Sequence, residues 1–180
     1  MPRLIGEELD EKRRTQILQA ALYCFLTFGF AKTSMDDIAR RAGVSRPLIY
    51  LKFKNKDELF AGVFDYLTEG RFERAMAVIS GSGSPRERLL AASEIMLVEP
   101  WTQVIGHPMS ADFYEVCSLQ LPQVTTAYAR NAIKCAEAVL GDREVAEVFF
   151  FATEGLHSDL PSAKVLLKRL RILVDQFARE

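Results

Sequence analysis

Very little in this chain invites metal, redox or phosphate chemistry. Its 180 residues include only three cysteines, two histidines and one tryptophan. Cys24, Cys117 and Cys135 stand in no metal-ligand or redox spacing, which fits a reduced, cytosolic protein better than a disulfide-stapled one. His107 and His157 lie neither in metal-ligand spacing nor beside a candidate nucleophile in sequence. Gly81-Ser-Gly-Ser-Pro85 lacks the lysine and the preceding strand of a phosphate-binding loop. Apolar runs are short, Val148 to Ala152 among them, and none can span a bilayer; Met1-Pro2-Arg3 opens no secretory signal. Sustained period-two alternation between turn signals is also missing, so no sheet is expected. These absences predict no cofactor, no metal, no membrane association and a cytoplasmic location.

What is present is ordinary in bulk and uneven in detail. Apolar residues make up 49% and charged residues 26%, as in a soluble globular protein of one or two domains. The net charge of −1 hides a division: residues 1–56 carry +5 and residues 57–180 carry −6. A basic N-terminal third on an acidic remainder places a polyanion-binding surface at one end of the chain.

The stretch Thr33 to Phe60 carries most of the information. Thr33 and Ser34 are N-cap residues with Asp36 and Asp37 three positions on, a capping-box pattern. Met35, Ile38, Ala39 and Ala42 follow at helical spacing, and Gly43 supplies the left-handed residue that ends the helix. Ser45 caps a second helix of about two turns, with Pro47 in its first turn. That helix presents Arg46, Tyr50 and Lys52 beside apolar Ile49 and Phe53. Two short helices across a glycine turn, the second polar and basic, describe a helix-turn-helix that reads a DNA major groove.

This region resembles the N-terminal DNA-binding domain of TetR/AcrR-type transcriptional repressors. The resemblance rests on Gly29-Phe30, Thr33, Asp37-Ile38-Ala39, Ala42-Gly43-Val44-Ser45, Tyr50, Phe53, Lys56-Asp57 and Leu59. It covers roughly the first third of the chain. It departs at Leu51 and Lys52, where many members carry an aromatic residue or histidine, so no operator sequence carries over.

Phosphate anchors and base readers can be assigned by chemistry. Helix N-termini and hydroxyls suit phosphates, which selects Thr33 and Ser34, with Lys56 at the next helix start and Tyr50 along the sugar. Arg46 is the base reader, since guanidinium pairs with guanine through two hydrogen bonds. Ser45, Pro47, Leu48 and Lys52 add contacts, the apolar ones to thymine methyls. The run Lys12-Arg13-Arg14 suits phosphates and a solvated face equally.

The chain is expected to be all-α, with about nine helices: a three-helix DNA-binding domain over residues 1–55 and a helical regulatory and dimerisation domain over 56–180. Residues 1–10 are expected to fray, with the first helix from about Glu11 to Phe28. A long helix is expected from Lys56 to about Ser80, and another from Pro85 to Val98. Pro100 to Ser110 reads as a loop. Further helices are expected over about 111–119, 122–140, 143–156 and 162–179.

In the last helix Leu166, Leu170, Leu173 and Phe177 form a stripe, with Val165 and Ile172 off it. Its neighbour carries Phe149-Phe150-Phe151, more apolar surface than one face can bury. The resemblance implies that a second copy covers the excess, through a four-helix bundle. Phe150, Leu166, Leu170, Leu173 and Phe177 are accordingly expected at a homodimer interface. It also implies a small-molecule effector that alters the spacing of two heads on a palindromic operator, releasing a repressor. Met96, Trp101, His107, Phe113, Tyr114, Cys117 and Tyr128 are the candidate lining residues, and their mostly neutral polar tips suit a largely apolar ligand. Two alternatives stand beside this: a redox-responsive regulator using Cys117 and Cys135, and a small helical enzyme.

Overall fold

A computed structural model describes residues 2–178, with side chains from residue 8 onward. Met1, Arg179 and Glu180 lie outside the described residues, and with them the outermost ends of the expected first and last segments. The helices in chain order are α1 (Pro2–Phe28), α2 (Met35–Ala42), α3 (Arg46–Lys52), α4 (Lys56–Thr68), α5 (Arg71–Ile79) and α6 (Pro85–Ser93). They continue as α7 (Glu99–Val104), α8 (Ser110–Glu115), α9 (Thr126–Leu140), α10 (Arg143–Gly155) and α11 (Ala163–Phe177). Among the described residues there is no strand, and the chain is all-α.

Each expected helical segment has a counterpart, with three differences. First, α1 begins at Pro2 rather than near Glu11; proline is tolerated in a first turn, and Asp10 is tied to Lys52 of α3. Second, the expected long helix from Lys56 breaks at Gly70, whose φ of 66° no helix interior accommodates. Third, helix continues through Pro100. A π turn (Glu94–Val98) joins α6 to α7; Pro100 in the first turn of α7 has no N–H to give, and the Met96 carbonyl four residues back accepts from the Tyr128 hydroxyl instead.

The chain forms two compact units. One comprises residues up to Tyr66 together with His107–Pro122; the other comprises Leu67–Gly106 and the chain from Gln123 onward. The expected boundary after residue 55 therefore lies inside the first unit, because α4 and α8 are packed into its core. Phe60 of α4 is fully buried and meets Phe25, Phe30 and Phe113 at ring-centroid distances of 5.4, 5.3 and 4.8 Å. Around it pack Ile17, Leu18, Ile38, Ile49 and Val63, each essentially inaccessible to solvent. Polar bonds fasten the segment before and within α8: the Met109 N–H donates to the Leu26 carbonyl (3.0 Å), and Asp112 accepts from the Phe30 N–H (2.7 Å). Gly29 makes this approach possible. Its φ is +87°, and a Cβ there would stand 2.8 Å from the Met109 methyl.

The second unit is a helical bundle. Leu89, Ile133, Ala146, Phe149, Leu170 and Val174 form its main core, drawn from α6, α9, α10 and α11. A smaller cluster joins Ala75 and Ile79 of α5 to Ala92, Met96 and Cys135. Arg71 is buried, with its Nε donating to the Leu67 carbonyl (2.7 Å) and its guanidinium paired with Glu99.

Phe60 touches aromatic rings from three segments, so Phe60→Ala should lower unfolding free energy by about 3–5 kcal/mol in urea titration.

Candidate nucleic-acid interface

Local bonds bound both helices of the motif. Ser34 caps α2: its Oγ accepts from the Asp37 N–H (3.1 Å), and Asp37 accepts in return from the Ser34 N–H (3.1 Å). The Ser34 hydroxyl and N–H hold the Asp37 carboxyl below the ordinary range. Gly43 closes α2 at φ 66°, and the Val44 N–H turns back to the Ala39 carbonyl (3.0 Å). Ser45 then caps α3, its Oγ accepting from the Leu48 N–H at 3.4 Å, with Pro47 in the first turn. Ile49 and Phe53, 0% and 4% exposed, pin the inner face of α3.

The outer face is open. Ser45, Arg46, Pro47 and Tyr50 are exposed and Leu48 is half-buried. The Arg46 guanidinium lies 3.1 Å from Asp36 of α2 and 5.7 Å from the centre of the Tyr50 ring. Leu51, marked in the sequence only as a departure from the family pattern, is 78% exposed on the same helix. Its lack of a buried partner could not be read from spacing on so short a helix.

Three expected contacts are placed differently. Thr33 is buried, and its hydroxyl donates to the Gly29 carbonyl (2.7 Å), so it supports the turn from within rather than anchoring a phosphate. Lys56 donates to the carbonyls of Phe30 (2.7 Å) and Thr33 (3.0 Å) and lies over the Phe30 ring; its ammonium binds α4 to the α1–α2 turn. Lys52 is paired with Asp10, its side chain largely covered. Ser34 remains exposed at the α2 N-terminus, where a helix end favours an anion.

The seven candidate effector residues are divided between the two units. His107, Phe113, Tyr114 and Cys117 belong to the first unit, whereas Met96, Trp101 and Tyr128 belong to the second. Phe113 is core packing against Phe60, and His107 is exposed. Trp101 is buried, donating its indole N–H to the Pro161 carbonyl (2.8 Å) and stacking on His157. Met96 and Tyr128 line a cavity of the second unit, with Ser93, Cys135, Phe150 and Thr153 among their neighbours. Its volume, ≈ 30 Å³, suits a water rather than a drug-sized ligand. Tyr128 donates to the Met96 carbonyl inside the π turn (2.8 Å).

The expected interface residues also turn inward. Leu166 and Leu170 are fully buried, Phe150 is 9% exposed, and Leu173 and Phe177 pack partly buried against the same core. Exposed instead are Val145, Val148 and Phe151 of α10 with Val165 and Ile172 of α11. A helix must first satisfy its own subunit, and only the face left over can meet a partner.

Burial pushes Cys117 up to about 12 and Cys135 up to about 11, so neither is a thiolate at neutral pH, and nothing favours the redox alternative. Among the described residues no group of His, Cys, Asp and Glu could hold a metal ion.

A capped, two-turn helix held from beneath and open on its outer face defines, with this fold, a helix-turn-helix protein of the DNA-binding class. A family model described as "Bacterial regulatory proteins, tetR family" matches residues 17–63. Residues 17–63 are thus a tetR-family DNA-binding segment, and the chain is similar to TetR/AcrR transcriptional regulators. It is 36% identical over 131 residues to the HTH-type transcriptional activator FasR of Mycolicibacterium smegmatis, covering 72% of this chain and 58% of that one. It is 45% identical over 69 residues to the HTH-type transcriptional regulator TtgR of Pseudomonas putida, covering 38% of this chain and 32% of that one. The matches thus span between about a third and three fifths of those relatives' lengths. Its fold is similar to that of SmeT, the repressor of the Stenotrophomonas maltophilia multidrug efflux pump SmeDEF. That similarity has a TM-score of 0.68 at 22% identity and covers 91% of this chain and 87% of SmeT.

His157 supplies a pH test of the second unit. Burial lowers its pKa from 6.5 to about 4. The folded state therefore resists a proton that the unfolded chain accepts. The stabilisation is complete above pH 6.5 and is lost as pH falls toward 4, by roughly 3 kcal/mol in all. Glu154, whose carboxyl burial raises, titrates in the opposite sense, so wild type should be compared with His157→Phe, which keeps a ring on Trp101. Unfolding free energies measured by urea between pH 7 and pH 4 should fall more steeply in wild type.

Proposed function

We propose that the chain is a homodimeric, cytoplasmic DNA-binding regulator whose α3 enters the major groove of a palindromic operator and whose second unit answers to a small, largely apolar molecule. The observation that carries the DNA reading is the open outer face of α3, with Arg46 at its start and Tyr50 one turn on, over a buried Ile49. Ser34, Ser45 and Tyr50 hold phosphates, Arg46 reads a guanine edge, and Pro47 and Leu48 meet thymine methyls. Repression is the sense the family resemblance implies. Three buried free thiols suit a reducing compartment.

A second copy covers the exposed apolar residues of α10 and α11. Val148 and Phe151 lie one turn apart on α10, and Val165 and Ile172 two turns apart on α11, so each pair shares a helix face. Two protomers joined this way give the operator its two-fold symmetry. The effector enters beside Met96 and Tyr128, and because the present cavity is so small, the helices around it must part to admit the ligand. An effector that prefers the parted state shifts the population away from the DNA-competent spacing.

Fluorescence anisotropy with duplexes selected from a random pool tests the DNA reading. Arg46→Ala should cost about 1–3 kcal/mol and relax preference at one base per half-site. An equal loss for all sequences would make Arg46 a phosphate contact only. Sedimentation tests the dimer: Phe151→Glu with Ile172→Glu should yield a folded monomer, whereas Leu170→Glu should unfold the subunit. A double variant that stays dimeric would remove this face from the interface.

A further inference from the structure

Both cations of the groove-facing helix are already engaged by carboxylates that other helices deliver. Arg46 is 3.1 Å from Asp36 of α2, and Lys52 is paired with Asp10 of α1. Neither pair is a neighbour pair along one helix: Lys52 and Asp10 are 42 positions apart. The pairs therefore come from the tertiary arrangement and not from helical register. We propose that Asp36 and Asp10 are affinity-setting residues, which compete with DNA for the two cations of α3; this rests on the DNA-binding reading above.

The physical basis is exchange. A carboxylate offers a guanidinium two acceptor oxygens, as the O6/N7 edge of guanine does. On a cognate duplex Arg46 trades Asp36 for that edge and loses little. On any other duplex it leaves Asp36 for a phosphate or for water, and the released carboxylate then faces the negative backbone. The pair is broken and the carboxylate released on every duplex, so the cost is common to all of them, and only a contact as good as the guanine edge offsets it. Lys52 carries no base code, so its pairing with Asp10 acts on the sequence-independent part of binding. Arg46 is 67% and Asp36 46% exposed, so that pair opens into water; Asp10 is 56% exposed but Lys52 only 18%, so the second pair opens as Lys52 swings outward.

The test uses the full chain with Asp36→Asn, Asp10→Asn and, as a charge control in the other unit, Glu73→Gln. Anisotropy titrations use a mixed-sequence duplex and the duplex that wild type selects from a random pool, across a salt series. Each Asp→Asn change should tighten the mixed-sequence complex about two- to fivefold at low salt, the scale of an exposed ion pair. Each should steepen the plot of log affinity against log salt by about 0.9. The selected duplex should gain by a similar factor, and Glu73→Gln should leave affinity and salt slope unchanged. Wild type that binds duplex while both Asp variants bind no more tightly than Glu73→Gln overturns this inference alone. A wild type that forms no complex with any duplex at low salt overturns the DNA reading and this inference together. The two carboxylates sit on different helices, so Asp10→Asn decides the matter if Asp36→Asn fails to fold by circular dichroism.

Discussion

The burial of Ile49 and Phe53 is the constraint on which the DNA-facing surface depends. Seven residues are too few for a helix to persist alone in water, since nucleation is costly and only about two turns of bonds repay it. α3 therefore exists because its inner face is held in the core of the first unit. With that face committed, register dictates that Ser45, Arg46 and Tyr50 point outward. The same core explains Thr33 and Lys56. A loop between α1 and α2 exposes carbonyls that need donors, and a hydroxyl and an ammonium close at hand supply them.

Charge is distributed by the same economy. The basic excess of the N-terminal third is not a bare cationic surface, because several of its cations are employed internally. Lys56 supports a turn, while Arg46 and Lys52 meet carboxylates. Net charge steers a chain toward a polyanion, but which cations are available on arrival is a matter of who holds them beforehand. In the second unit burial keeps the Cys135 thiol protonated and His157 neutral, while Arg74 and Arg169 hold the carboxyls of Glu99 and Asp159 below the ordinary range.

Much of the fold was legible in the sequence, and for identifiable reasons. Ser34, Gly43, Ser45, Ser84 and Gly141 bound helices through bonds and dihedrals set within a few residues, so they could be placed without a tertiary structure. Gly70 escaped notice because one glycine inside a long apolar pattern reads equally as a tolerated residue or a break. The candidate site was half legible. Ser45, Arg46, Pro47 and Tyr50 lie on the open face as expected, but Lys52 and Lys56 have partners far away in sequence, and Thr33, bonded only to nearby carbonyls, is buried by packing that no spacing rule reaches.

The sequence by itself determined the caps, the glycine turn and where most helices fall, because caps and turn dihedrals are fixed among residues a few positions apart, whereas α3 persists only on its core. Only the tertiary structure decided which side of α10 and α11 faces the core, that α8 belongs with the N-terminal unit, and which lysines are occupied. Periodicity tells that a face is apolar but not what covers it, and the stripe of Leu166 and Leu170 could have served a core or a partner equally well. The choice falls to packing, where one subunit buries whatever surface its own helices can reach and leaves the remainder, Phe151 and Ile172 among it, exposed.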